Sequence, residues 1–258
     1  MLVTTWGGFL AALQTEGAVI DLPGGVWDCN ALVPSGFQDT IEITAAKVNG
    51  HGTVIRNLYG DMFAQTVYQG QTVCEFTNMQ FQNLVTQNTI SAAFTDCIIT
   101  GMCQRGIGSL KRCAVNIKSE AANPFVFGTS GEDSQIKVYL PVMERLDDNA
   151  STYTGNSHFI AKSCKNCELI IDAPNAVGAI RPMYWYNVIM RGNCPGITTV
   201  IQYYDWEITE MSFVSSECCP SASVYVGPQV TQRVAVWPES YLNNAAALAA
   251  AGFPIEGG

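Results

Sequence analysis

Charge is scarce in this 258-residue chain: only 14% of its residues are Asp, Glu, Lys or Arg, and His occurs twice. Basic residues are the scarcer kind, 13 Lys and Arg against 22 Asp and Glu for a net charge of -9, which argues against nucleic-acid or anionic-membrane partners. No stretch approaches the ~20 apolar residues of a membrane span. Met1-Leu2-Val3-Thr4-Thr5-Trp6 carries neither the basic segment nor the apolar run of a signal peptide. The expectation is a protein that stays in the cytoplasm, or leaves it by lysis or within a larger particle. His51, in the turn-like Asn49-Gly50-His51-Gly52, and His158, after a polar loop, give no metal-binding spacing. Phosphate loops and nucleophile elbows are missing too, since Gly106-Ile107-Gly108-Ser109 is too short for either. No metal or cofactor is expected.

What is present is repetition. Short strands recur, several opening on a polar residue followed by Cys or Met: Asn78-Met79-Gln80-Phe81, Asp96-Cys97-Ile98-Ile99, Arg112-Cys113-Ala114-Val115-Asn116-Ile117 and Asn166-Cys167-Glu168-Leu169-Ile170-Ile171. Inward-looking alternation reads at Ile41/Ile43, Met79/Phe81, Cys97/Ile99, Cys113/Val115/Ile117, Ile136/Val138/Leu140, Cys167/Leu169/Ile171, Val188/Met190 and Met211/Phe213. From Met79 onward the first members lie 16 to 31 residues apart, which rules out a strict hexapeptide repeat. It suits a coil whose strands keep register while its turns vary in length, the segment Leu146 to Ser157 projecting as a loop.

Ten cysteines without an export signal read mainly as buried free thiols behaving as small hydrophobes. In a coil of parallel strands one position stacks about 4.8 Å above its counterpart, and a small polarizable side chain fits the bend where strand meets turn. The preceding Asn or Asp favours that turn. Cys164-Lys165-Asn166-Cys167 has the spacing of zinc and redox motifs. A second such pair and a strand-to-helix context are both missing, so ladder thiols are the preferred reading. Cys218-Cys219-Pro220 retains the option of pairing with Cys194 in an oxidising setting.

The two ends differ from the body. Trp6, Phe9, Leu10 and Leu13 follow helical spacing, with Thr5 as cap and Gly17 after the end. The strand Ala18-Val19-Ile20-Asp21-Leu22 and the turn Pro23-Gly24-Gly25 come next. The alanine-rich run Tyr241 to Ala251, stopped by Gly252 and Pro254, predicts a second helix. Residues 1–39 thus form an N-terminal cap, 40–236 the repeating body and 237–258 a C-terminal helix and tail of one domain.

The lid from Phe9 to Leu22, the turn Pro23-Gly24-Gly25-Val26-Trp27 and repeats such as Phe94-Thr95-Asp96-Cys97-Ile98-Ile99 resemble right-handed parallel β-helix proteins of the pectate-lyase-like superfamily. The likeness covers about four fifths of the chain. It implies an all-β, single-stranded right-handed parallel β-helix of roughly eight to ten rungs with short capping helices. The closing stretch Tyr241 to Ile255 is similar to C-terminal tails of phage and prophage structural proteins of Gram-positive bacteria. The two resemblances together imply a non-enzymatic, virion-associated structural or host-surface-binding protein. Its partners would be glycans, other tail proteins or further copies of itself, trimers being common among such relatives.

Family members also include polysaccharide lyases and hydrolases, which is the alternative function. Such an enzyme needs carboxylates converging on one groove, with Arg or Lys to take a proton from a uronate. The candidates are weak: Asp172 and Asp205, with Arg181 as the base, while Asp147-Asp148 lie on the loop. The better surface candidate is aromatic. Tyr184-Trp185-Tyr186 and Tyr203-Tyr204-Asp205-Trp206 are spaced about one coil apart, so an exposed shelf beside Arg181 and Asp205 would suit a glycan. The competing reading is that alternate members point inward and fill the core.

Overall fold

The computed structural model describes residues 1–32, 45–58, 74–86, 90–104, 107–120, 130–146 and 163–252. Ile41, Ile43, Gly106, Asp147, Asp148, the rest of the loop to Ser157, His158 and Phe253 to Ile255 lie outside them. The chain divides into two compact units, Met1–Lys118 and Ser119–Gly258. Both are predominantly β, and the strand pairs among the described residues run parallel.

The first unit contains α1 (Trp6–Leu13), β1 (Val19–Asp21), β2 (Val26–Asp28), α2 (Cys29–Leu32), β3 (Lys47–Arg56), β4 (Cys74–Thr86), β5 (Ile90–Thr95), β6 (Ile98–Cys103), β7 (Ile107–Lys111) and β8 (Ala114–Lys118). Thr5 caps α1 as the sequence predicts, its side-chain oxygen accepting from the Gly8 N–H at 3.2 Å. The helix buries Trp6, Phe9, Ala12 and Leu13, and Gly17 follows it at φ +70°. Trp27 of β2, a strand the alternation did not reveal, meets Phe9 at 5.6 Å and Trp6 at 6.0 Å between ring centroids. Strand β3 carries β1 and β2 on one edge and β4 on the other. The first half of β4 pairs with β5 and the second half with β6; β7 and β8 then extend the two stacks.

The recurrent polar residue proves to be a corner. Asn78, Asp96 and Arg112 sit at φ +54°, +55° and +50°, the left-handed region that Asn and Asp tolerate best. Arg112 has no such tolerance; Asp96 holds it with two hydrogen bonds of 2.7 Å. Past each corner Met79, Cys97 and Cys113 turn inward in one column, set by the registers Gln80↔Ile98 and Ile98↔Ala114. The thiols do more than fill space. Cys97 donates to the Thr95 carbonyl at 3.2 Å and Cys113 to the Lys111 carbonyl at 3.3 Å, satisfying acceptors next to the bend. Before the corner, Phe76 stacks on Phe94 at 5.5 Å, and Phe81 packs edge-on against both. A second ladder runs where Asn83 donates to Asn57 at 2.8 Å and Asn57 to Asp28 at 3.0 Å.

These ladders carry a pH dependence. Hydrogen bonds from Arg112 hold the Asp96 carboxyl below the ordinary 3.8, and Asn57 does the same for Asp28. A depressed folded value contributes stability above the unfolded pKa, which is lost as pH falls through the folded one. Urea unfolding at about pH 6 and about pH 3 should show wild type losing more on acidification than Asp96→Asn. Equal losses would leave the Asp96–Arg112 pair without a role in stability.

The second unit contains β9 (Ser130–Glu132), β10 (Gln135–Tyr139), β11 (Arg145–Leu146), β12 (Ser163–Lys165), β13 (Glu168–Asp172), β14 (Val177–Ile180), β15 (Trp185–Tyr186), β16 (Ile189–Asn193), β17 (Gly196–Gln202), β18 (Ser212–Ser215), β19 (Ser223–Val226), β20 (Val234–Trp237), α3 (Glu239–Leu242) and α4 (Ala245–Ala250). Three parallel stacks result: β9-β12-β15, β10-β13-β16-β18-β20 and β11-β14-β17-β19. Asp133, Asn166 and Asn187 make the left-handed corners here, linked by side-chain amides at 3.0 and 3.2 Å. Behind them Ser134, Cys167, Val188, Ser212 and Val234 form the inward column. Ser134 replaces cysteine and donates to Glu132 at 2.8 Å, the bond that Cys167 makes to Lys165 at 3.2 Å. The motif requires a small donor, and sulfur is one solution.

The expected C-terminal helix is two short ones. Asn244 breaks the run by taking an extended conformation (φ -107°) and capping α4, accepting from Ala246 and Ala247 at 3.0 and 3.2 Å. Leu242 and Leu248 pack against Phe213 and Ala235. The Arg191 guanidinium on β16 lies between Glu168 of β13 and Glu239 of α3, tying the helix to the sheet.

Candidate functional site

The aromatic segments converge in the second unit. Trp185 pairs in parallel with Ile208, its N–H donating to the Glu207 carbonyl at 3.0 Å, so the two segments lie on adjacent layers. Alternation then sorts the side chains. Trp185 is only 4% exposed and occupies the interior column with Cys164, so it does not belong to any surface shelf. Tyr184, held at φ +53°, faces the other way. Trp206 is 47% exposed and lies between Tyr184 at 5.3 Å and Tyr204 at 5.1 Å, stacked nearly parallel to the latter at 11°. Tyr203 closes the row edge-on to Tyr204 at 4.8 Å. Tyr186 is half-buried on β15 opposite Lys165. The result is a row of tilted and stacked rings in which Trp206 is the exposed member and the tyrosines are half-buried.

A buried ion pair supports the row. Glu207 is fully buried, and its Oε1 accepts from Arg181 Nε at 2.8 Å and also from Nη2. Its Oε2 accepts the backbone N–H groups of Tyr203 and Tyr204 at 2.8 and 3.0 Å, fixing the turn that carries Tyr204 and Trp206. The guanidinium carbon of Arg181 also lies 5.7 Å from the Tyr204 ring centre and 5.9 Å from that of Tyr203. The sequence reading passed over Glu207. The available signal was a carboxylate set between the apolar Trp206 and Ile208.

The acid–base candidates are not assembled. Arg181 is committed to Glu207. Asp205 is exposed and faces Arg233 at 4.0 Å. Asp172 lies on the outward side of β13, between Tyr139 and Asn193 in register, on a different stack from the turn that carries Asp205. His51 belongs to the first unit, where its Nε2 lies 3.3 Å from Asp21. Among the described residues no group of three or more His, Cys, Asp or Glu is disposed to hold a metal ion, and no helix is long and apolar enough to cross a membrane.

All ten cysteines are buried and none is in a disulfide. Cys164 and Cys167 turn their sulfurs into the space left by Gly131, where an added Cβ would meet them at 3.3 and 3.1 Å. Cys194, Cys218 and Cys219 form a second group. The chain matches no family model, no curated protein and no solved structure.

Proposed function

We propose that this protein is a right-handed, single-stranded parallel β-helix of the pectate-lyase-like kind, serving as a non-catalytic glycan-binding or structural component of a phage or prophage tail. The row Tyr184–Trp206–Tyr204, held outward by the buried Arg181–Glu207 pair, carries the glycan reading. The rings and the tyrosine hydroxyls combine apolar surface with hydrogen-bonding groups, the pairing that a sugar presents in turn. The separation of Asp172 from Asp205 supports binding without cleavage, because glycoside hydrolysis uses two carboxyls facing one bond. The parallel stacks support the β-helix, and the closing segment Tyr241 to Ile255 supports the phage setting. Tail proteins or further copies of the chain are its proposed structural partners.

Affinity electrophoresis through gels containing bacterial capsular or cell-wall polysaccharides tests this. At least one polysaccharide should retard the protein, and Trp206→Ala should weaken retardation about tenfold. Tyr225→Ala, which removes an exposed ring on β19, should leave it unchanged. Retardation by none of them, indifference to Trp206→Ala, or release of reducing ends or unsaturated sugars would sink the proposal.

A further inference from the structure

The sulfurs of Cys194, Cys218 and Cys219 belong to no site described so far. Cys194 directly follows β16, and its N–H donates to the Cys218 carbonyl at 2.8 Å. That bond brings Cys194 beside the Cys218–Cys219 turn of the next layer, and its thiol shares side-chain hydrogen bonds with both of theirs. The Cys218 and Cys219 sulfurs are 3.7 Å apart, and Cys194 Sγ donates to the Ile171 carbonyl at 3.3 Å. All three side chains are buried. Hydrogen bonds from Cys218 and Cys219 pull the Cys194 thiol down to about 4, while the same bonds and burial push the other two up. Cys194 is thus the sulfur that most readily becomes a thiolate. Cys218 and Cys219 themselves lie in a turn, outside any strand, in which Glu217, Pro220 and Ser221 are exposed. Local opening of this turn admits a reagent without dismantling a stack.

We infer that Cys194 closes a disulfide to the Cys218–Cys219 pair when the protein meets a small-molecule disulfide, stapling two successive layers of the second unit. In the first step the Cys194 thiolate attacks the reagent RSSR, the reagent's S–S bond breaks, and RS⁻ leaves from a mixed disulfide. Cys218 or Cys219 then gives up its proton, attacks the Cys194 sulfur and expels the second RS⁻. Two cysteine thiols are oxidised and one RSSR is reduced to two RSH. The staple closes a loop that includes the turn carrying Tyr204 and Trp206.

The folded chain is incubated with oxidised glutathione below its unfolding temperature, then alkylated with N-ethylmaleimide in denaturant. Intact mass should show eight alkylated cysteines rather than the ten of the reduced chain. Peptide mapping should join the Cys194 peptide to the Cys218–Cys219 peptide, and the oxidised protein should melt higher. Cys194→Ala, its fold checked by far-UV circular dichroism, should lose the link, whereas Cys97→Ala should keep it. Ten alkylated cysteines in the oxidised sample, a link confined to Cys218–Cys219, or a link between other cysteines would overturn the inference. If Cys194→Ala fails to fold, the wild-type peptide map decides alone.

Discussion

Replacing Arg181 with methionine should destabilise the second unit by about 3–5 kcal/mol, because it strands the Glu207 carboxylate in the interior without its cation. Glu207 is fully buried and the Arg181 side chain is 8% exposed, so water cannot take the place of the lost partner. The double variant Arg181→Met/Glu207→Gln should lose much less. It removes both charges yet leaves a side-chain oxygen to accept from the N–H groups of Tyr203 and Tyr204. Urea unfolding of the three proteins measures both effects. A loss below about 1 kcal/mol for Arg181→Met would mean the pair behaves like a solvated one. Glycan retardation should fall with Arg181→Met even in the folded fraction, since the turn bearing Trp206 loses its anchor.

Gly101→Ala should cost the first unit about 4 kcal/mol or more, among the largest effects for a single methyl group. Gly101 sits at φ +147°, and an added Cβ would come 1.9 Å from the Leu84 carbonyl oxygen and 2.5 Å from its nitrogen. The obstacle is backbone, which cannot rotate aside as a side chain can. Strands β4 and β6 approach closely here only because one of them lacks a side chain. Gly7→Ala is the control: it lies in α1, nothing stands within 4 Å, and helix propensity should raise stability by about 0.5–1 kcal/mol. Thermal melts of both variants should move in opposite directions. A near-wild-type melt for Gly101→Ala would contradict the register between β4 and β6.

Much of the inward face was legible because its residues alternate and are apolar. Met79/Phe81, Cys97/Ile99, Cys113/Val115/Ile117 and Cys167/Leu169/Ile171 are all buried as their spacing implied. Ser134 and Ser212 hold equivalent places in the interior and escaped notice, since a serine in sequence gives no sign that its hydroxyl will find a carbonyl. The stack β11-β14-β17-β19 was equally hidden. Val177-Gly178-Ala179-Ile180 does not alternate, and Val200, Ile201 and Gln202 are consecutive yet all buried.

The aromatic site was half readable. Two clusters one coil apart pointed to neighbouring layers, but a shift of one residue exchanges inside for outside. The pairing of Trp185 with Cys164 and Ile208 assigns Trp185 to the core, while Tyr184 meets Trp206 at the surface. Glu207 was passed over for a related reason: a charge is read as exposed until its partner, 26 residues away in sequence, is brought beside it.

Interstrand nuclear Overhauser contacts across β13 and β16 test the parallel stacking most directly. Parallel pairing predicts backbone contacts that place Glu168 beside Ile189, Ile170 beside Arg191 and Asp172 beside Asn193, the two strands advancing together. Contacts in the reverse order, with Glu168 beside Asn193 and Asp172 beside Ile189, would show a hairpin and contradict it.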